Sequence, residues 1–161
     1  MICQMKTRSD AARQGVFALS VVMLLATRAL PAAQASLYAR MGGEPVVRAV
    51  VSDTLDRVVA DPHLKRSFAE VDVHRVKRLL AEQICELADG GCRYSGDAMR
   101  EVHAGHQISE AEFYGMVEIL RDSLRRHDVG LRERNELLAL LAPMKRDVVD
   151  VPAPLSAGVS P

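Results

Sequence analysis

Apolar side chains recur every three or four positions in four stretches of this chain, and no stretch alternates apolar and polar residues as a strand would. The apolar content comes from Leu, Val, Ala and Met, and only 4% of residues are aromatic. That composition favours helices over sheets. The sequence therefore predicts an all-α domain. Its four main helices are expected to begin near Pro45, Asp72, Ser109 and Leu131.

Local signals predict where these helices begin and end. Asp72 can cap the second helix, and the spacing of Ser109 and Glu112 is that of a capping box. Pro45 opens the first helix, where a proline is tolerated. The last helix is expected to run from Leu131 to Val149 with a kink at Pro143, because proline lacks the backbone N–H that a helix interior needs.

A shorter helical turn carries a histidine between two of the main helices. Met99 lies four residues before His103, so both side chains fall on one helical face, and Gly105 then breaks the helix. A neutral imidazole presented in this way can serve as an axial ligand of haem iron. The alternative is a half-buried or surface histidine that binds nothing.

Several fragments, taken in order, resemble one known family, the group 1 truncated haemoglobins. The resemblance covers nearly the whole chain from Ser36 to Val149. Its elements are Ser36-Leu-Tyr-Ala-Arg-Met-Gly-Gly43, Phe68, Gly90-Gly-Cys-Arg-Tyr-Ser-Gly96, Met99-Arg-Glu-Val-His-Ala-Gly105 and Ala142-Pro-Met144. Glycines at the corners suit a shortened globin, since glycine adopts the dihedral angles that sharp turns need.

The resemblance implies a truncated globin fold, a two-over-two helical sandwich around one haem b. His103 would ligate the iron, and its other ring nitrogen would donate to a backbone carbonyl. The apolar wall against the haem would comprise Phe68, Val76, Leu80, Met99, Val102 and Ile108. Candidates for the haem propionates are Tyr94, Arg75, Arg78 and Arg100. The alternatives are an ordinary core for the first set and a solvated surface for the arginines.

The distal side of the implied pocket departs from better-known members of the family. Leu55 stands where many members have tyrosine, Leu80 where many have glutamine, and Val76 at the usual distal position. Thr54 and Gln83 are the nearby polar residues that could substitute. Because an apolar pocket cannot donate a hydrogen bond to bound oxygen, we expect faster oxygen loss than in the tyrosine-bearing members.

The leading functional hypothesis is a haem protein that reversibly binds oxygen, nitric oxide or carbon monoxide. One alternative is nitric oxide dioxygenation or weak peroxidase chemistry at the same iron, which needs an electron donor such as a reductase. Another is a haem-free helical interaction module, or a metal-binding protein that uses His103 and His106. The 21 basic and 21 acidic side chains are balanced, which argues against nucleic-acid binding.

The ends of the chain differ in character from the middle. Residues 1–35 resemble a secretory signal, with a basic start, an apolar run too short to span a bilayer and a small-x-small site at Ala33-Gln34-Ala35. An uncleaved anchor is the alternative. A periplasmic or secreted domain over residues 36–149, without stable membrane insertion after cleavage, and a disordered tail over residues 150–161 are therefore predicted.

Two cysteines remain after such a cleavage, Cys85 and Cys92. In an oxidising compartment they could pair, because the Gly90-Gly91 turn lies between them. An unbroken helix would hold them too far apart. The sequence leaves both possibilities open.

Overall fold

The computed structural model describes residues 35–150, and every regular element within them is helical. The predicted all-α class is confirmed. The α-helices are α1 (Leu37–Arg40), α2 (Gly43–Ala60), α3 (Val73–Leu87), α4 (Met99–His103), α5 (Glu110–Arg126), α6 (Leu131–Leu141) and α7 (Lys145–Val148). Two short 3-10 helices, Lys65–Phe68 and Ala142–Met144, join them.

Polar side chains cap α3 and α5 as the sequence predicts. The Asp72 carboxylate accepts a hydrogen bond from the backbone N–H of Arg75 at 3.1 Å. The Ser109 hydroxyl accepts from the Glu112 N–H at 3.2 Å, and the Glu112 carboxylate accepts from the Ser109 N–H at 2.9 Å. Each pair satisfies N–H groups that have no partner inside the helix.

The first helices begin earlier than predicted. α2 starts at Gly43, two residues before Pro45, because Gly42 and Gly43 both adopt positive φ angles of 105° and 68° and complete the corner themselves. Pro45 then occupies the first turn, where its missing N–H costs nothing. The lead-in segment is also helical: it forms α1, whose N-cap is Ser36.

The prediction of one continuous last helix is wrong. α6 ends at Leu141, the 3-10 turn Ala142–Met144 follows, and α7 is a separate short helix. Pro143 is the physical reason, since it cannot donate the helical hydrogen bond and its ring crowds the preceding turn. The sequence predicts the position of the interruption correctly, but the structure has a complete break there instead of a kink.

The helices pack as two layers of two. α2 packs against both α3 and α5, α5 packs against α6, and α3 reaches α6. This arrangement confirms the two-over-two sandwich. Its fully buried centre combines apolar side chains from α1, α2, the C-terminal part of α3, α5 and α6: Leu37, Met41, Val47, Val50, Val51, Leu55, Ile84, Ala88, Leu120, Leu124, Val129 and Leu137.

Apolar side chains elsewhere in the sandwich are only half-buried. They come from the 3-10 turn before α3, from α3 and α4, and from the N-terminal half of α5. The set comprises Phe68, Val73, Val76, Leu80, Met99, Ile108, Phe113 and Met116. α4 packs against α7. The described domain is therefore fully packed at its centre, while this second set of apolar side chains stays partly exposed.

A disulfide joins Cys85 to Cys92, which settles the question that the sequence left open. Their Cα atoms are 5.7 Å apart. α3 ends at Leu87, and the following turn folds the chain back over Cys85. Gly90 permits this close approach, since a Cβ atom there would lie 2.6 Å from the Cys85 Sγ.

The signal peptide and the disordered tail lie almost entirely outside the described residues, and they stay predictions. Among residues 35–150, no helix has both the length and the apolarity needed to cross a membrane.

Candidate functional site

His103 is the last residue of α4, and a backbone carbonyl holds its ring. The Nδ1 atom lies 2.7 Å from the carbonyl oxygen of Met99, one turn earlier. A carbonyl oxygen only accepts hydrogen bonds, so Nδ1 carries the hydrogen. In the neutral ring, Nε2 then keeps its lone pair. This is the hydrogen bond that a proximal histidine ligand needs to fix its tautomer and orientation.

Half-buried apolar side chains accompany the half-buried His103 in the described domain, a combination that fits a flat apolar group. His103 itself is half-buried, as are the apolar side chains Phe68, Val76, Leu80 and Met99. A haem would bury the exposed apolar surface of such walls and stack against the aromatic ring. The donor set therefore suits haem iron: one imidazole nitrogen surrounded by apolar side chains.

Most of the predicted apolar wall lies in this half-buried region. Ile108 belongs to it, whereas Val102 is 39% exposed. Phe113 and Met116 of α5 also lie there, and Met116 packs against the core. The sequence did not mark these two residues as part of the wall rather than of the core. Their side chains follow the same helical periodicity as core residues, so the sequence held no signal to separate the two roles.

The structure does not favour a metal ion held by protein side chains alone. Within residues 35–150, no group of three or more His, Cys, Asp or Glu side chains could hold a metal ion. His106 is exposed and follows the bend at Gly105, whose φ is 80°. His103 is therefore suited to act as a single axial ligand.

Both polar residues predicted near the distal side donate a hydrogen bond within the protein. Thr54 is fully buried, and its hydroxyl donates to the Val50 carbonyl at 2.7 Å. Gln83 is 8% exposed, and its amide nitrogen donates to the Met144 sulfur at 3.4 Å. Leu55 is fully buried in the core. The Thr54 hydroxyl therefore has no free donor, whereas the amide of Gln83 keeps a second N–H.

Lys77 is a polar residue between α2 and α3 that the sequence analysis missed. Its ammonium donates to the Ser52 hydroxyl at 2.9 Å and to the Asp56 carboxylate at 2.7 Å. The hydrogen bond from Lys77 lowers the pKa of Asp56. Ser52 and Asp56 lie one turn apart on α2, and this spacing was the sequence feature that could have indicated a polar cluster here.

Three of the four propionate candidates lie along α3 and the loop that follows it. Arg78 contacts the Glu82 carboxylate at 2.6 Å and the Ser95 hydroxyl at 3.1 Å. Tyr94 is half-buried, and burial raises the pKa of its phenol, with Asp97 adding to the effect.

Arg75 and Arg100 have separate acidic partners. Arg75 lies 4.0 Å from the carboxylate of Asp97, in the same loop region as Tyr94. Arg100 instead pairs with Asp147 of α7 at 2.7 Å. The structure therefore groups Arg75, Arg78 and Tyr94 but places Arg100 with α7.

A second polar cluster, also missed by the sequence analysis, surrounds Glu112 at the start of α5. Burial raises the pKa of this carboxyl, but hydrogen bonds from Ser109, Ser67 and Arg66 outweigh it and lower the pKa to about 2. Arg66 lies 2.6 Å from the carboxylate and Ser67 lies 3.0 Å from it. The cluster ties the 3-10 turn before α3 to the N-terminus of α5.

We expect Glu112 to make folding stability depend on acid pH. Its pKa is lowered in the folded state, so its contribution is complete above the ordinary value of 4.5 and is lost as pH falls towards about 2. Urea unfolding at pH 6 and pH 3 should show a smaller drop in stability for Glu112→Gln than for the wild type. Glu44→Gln, at an exposed position in the first turn of α2, corrects for the lost charge. Equal drops in all three proteins would contradict the assignment.

The chain matches a known family over the whole described domain. The profile of the family described as Bacterial-like globin matches residues 36–150. The chain is 29% identical over 126 residues to the group 1 truncated hemoglobin GlbN of Mycolicibacterium paratuberculosis, covering 78% of this chain and 93% of that protein. It is 30% identical to the GlbN protein of Synechocystis, covering 71% and 98%.

Solved structures have the same fold. The truncated hemoglobin of Tetrahymena pyriformis in its Fe(III) form superposes with a TM-score of 0.68 at 24% identity, covering 71% of this chain and 98% of that one. The 2/2 hemoglobin of Synechococcus, described as cyanomet with covalently attached heme, gives a TM-score of 0.67 at 24% identity. It covers 73% of this chain and all of its own.

Proposed function

We propose, from the premise that this chain belongs to the group 1 truncated haemoglobins within the bacterial-like globins, that its haem is haem b and that His103 is the residue that would hold the iron. The family makes it a haem-based protein that binds diatomic gases. The observation that carries the role of His103 is the 2.7 Å hydrogen bond from its Nδ1 to the Met99 carbonyl. That bond leaves Nε2 free to coordinate.

The imidazole and the apolar side chains have different proposed roles towards the haem. When bound, haem would supply an iron atom that binds a diatomic gas. His103 would hold and orient the group. Phe68, Val76 and Leu80 would exclude water from it, and an apolar surrounding disfavours charged species.

We propose that the protein binds oxygen reversibly and that oxygen is its default ligand. The engaged hydroxyl of Thr54 and the buried, apolar Leu55 support a carrier over a nitric oxide dioxygenase, because that chemistry usually relies on a polar distal group. We further propose that an unidentified reductase keeps the iron ferrous. Mixing the oxygenated protein with nitric oxide tests the choice: rapid nitrate formation would favour the enzyme.

We expect Leu55→Tyr to slow oxygen dissociation about tenfold relative to Leu55→Phe. The two variants have nearly the same bulk, so their difference isolates the hydroxyl, and one added hydrogen bond typically corresponds to about that factor. Stopped-flow displacement of oxygen by carbon monoxide measures both rates. If the wild type already releases oxygen as slowly as Leu55→Tyr, another donor serves the pocket and the apolar interpretation is wrong.

Export from the cytoplasm is proposed as the location of function. The basic start and apolar run of residues 1–35 support it, as does the Cys85–Cys92 disulfide, since disulfides persist in oxidising compartments. Cell fractionation with N-terminal sequencing tests this proposal. Recovery of the intact N-terminus in the membrane fraction would instead favour an anchor.

A further inference from the structure

The loop that follows His103 leads directly from the proximal histidine to α5. It spans residues 104–109, between α4 and the start of α5. Gly105 and Gln107 both have positive φ angles, of 80° and 53°. A residue with a side chain seldom adopts such an angle unless its surroundings hold it there. The contacts around Gln107 therefore decide how firmly the loop is fixed.

Arg66 holds this loop from one side. One guanidinium nitrogen donates to the carbonyl of His106 at 3.3 Å, and the other donates to the carbonyl of Gln107 at 3.1 Å. The second nitrogen also lies 2.6 Å from the Glu112 carboxylate. The planar fork of one arginine thus connects the loop to the first turn of α5.

Asp150 holds the same loop from another side. Its backbone N–H donates to the Ile108 carbonyl at 3.0 Å, and its carboxylate accepts from the Gln107 N–H at 3.3 Å. Gln107 is therefore bonded through its carbonyl to Arg66 and through its N–H to Asp150. Both backbone groups of this strained residue are satisfied.

We propose that Arg66 is a positioning residue for the proximal histidine, acting through the carbonyls of His106 and Gln107. The inference rests on the proposed role of His103. Arg66 lies two residues before Phe68, which the family resemblance places against the haem. The contacts of Arg66 therefore join the backbone just beyond His103 to the 3-10 turn that carries Phe68.

Arginine is needed in this role for a geometric reason. Two carbonyl oxygens and one carboxylate approach the same side chain from different directions, and two fork nitrogens can serve them together. A lysine ammonium in the same place would keep the charge opposite Glu112. It would be too compact to reach both carbonyls. Arg66→Lys should therefore keep the ion pair with Glu112 and lose hydrogen bonding to the loop carbonyls, so that the two interactions are tested separately.

The test compares Arg66→Ala and Arg66→Lys with a matched control, Arg48→Ala. Arg48 also pairs with a glutamate, Glu44 at 2.8 Å, but within α2 and away from the loop. The Arg66 and Arg48 side chains are 55% and 67% exposed, so neither truncation opens a buried cavity. The measurements are the rate of haem transfer to excess apomyoglobin, the iron–histidine stretching band of the ferrous protein, and the unfolding temperature.

We expect both Arg66 variants to lose haem about tenfold faster than Arg48→Ala, the factor for one or two net hydrogen bonds. We also expect their iron–histidine band to shift or broaden, while the unfolding temperature stays near that of Arg48→Ala. An unaltered band in both Arg66 variants would overturn the inference, whatever the unfolding temperature does. Absence of a haem spectrum in the wild type would instead defeat the proposed function itself.

Discussion

His103→Ala is expected to lower haem affinity at least about 100-fold and to change the ferrous absorption spectrum from that of the wild type. Loss of a partner that merely orients a metal ligand typically costs 10–100-fold in affinity, and removal of the ligand itself should cost more. The Met99 carbonyl would lose its hydrogen-bond donor as well. Titration of the haem-free protein with haem, followed through the Soret absorption, measures the change.

Two controls separate coordination from folding in this experiment. His106→Ala removes an exposed imidazole three residues further on and should leave the titration unchanged. Added imidazole should restore the wild-type ferrous spectrum in His103→Ala, because a free ring can occupy the space that the side chain left. A wild-type titration curve from His103→Ala would remove His103 from the site.

Breaking the Cys85–Cys92 bond is expected to produce the second large effect, this time on stability. The bond closes a short loop with a sequence separation of 7, and loop-closure entropy for such a loop corresponds to roughly 2 kcal/mol. In a domain of this size that loss lowers the unfolding temperature by roughly 10 °C. Cys92→Ser is the suitable variant because Cys92 is exposed, whereas Cys85 is fully buried.

A reductant provides the matched control for this prediction. A phosphine reductant should lower the unfolding temperature of the wild type to that of Cys92→Ser and leave the variant unchanged. Scanning calorimetry with and without reductant gives all four values. Stability of the wild type that does not respond to complete reduction would contradict a stabilising role for the bond.

Helix content and the main boundaries followed from local physics that the sequence displays. Asp72 and Ser109 cap their helices, and Gly42 and Gly105 sit at positive φ where the chain turns. These signals depend on neighbours within about four positions, so they can be predicted without a structure. The break at Pro143 was placed correctly, but its extent depends on how α7 packs.

In the candidate site too, contacts between sequence neighbours could be predicted, whereas contacts between distant residues could not. The hydrogen bond between His103 and Met99 is local, since the two lie one turn apart. Arg66 and Glu112 lie 46 positions apart, so no local sequence pattern predicts their interaction. The hydrogen bond that Gln83 donates likewise depends on a residue distant in sequence, Met144 of the second 3-10 turn.

Resonance Raman spectroscopy of the ferrous, ligand-free protein tests the central claim most directly, because it observes the bond between iron and its axial ligand. The proposed role of His103 predicts an iron–imidazole stretching band that shifts with the iron isotope. That band should vanish in His103→Ala and return with added imidazole. Its absence from haem-saturated wild type, or its persistence in His103→Ala without imidazole, would contradict the account.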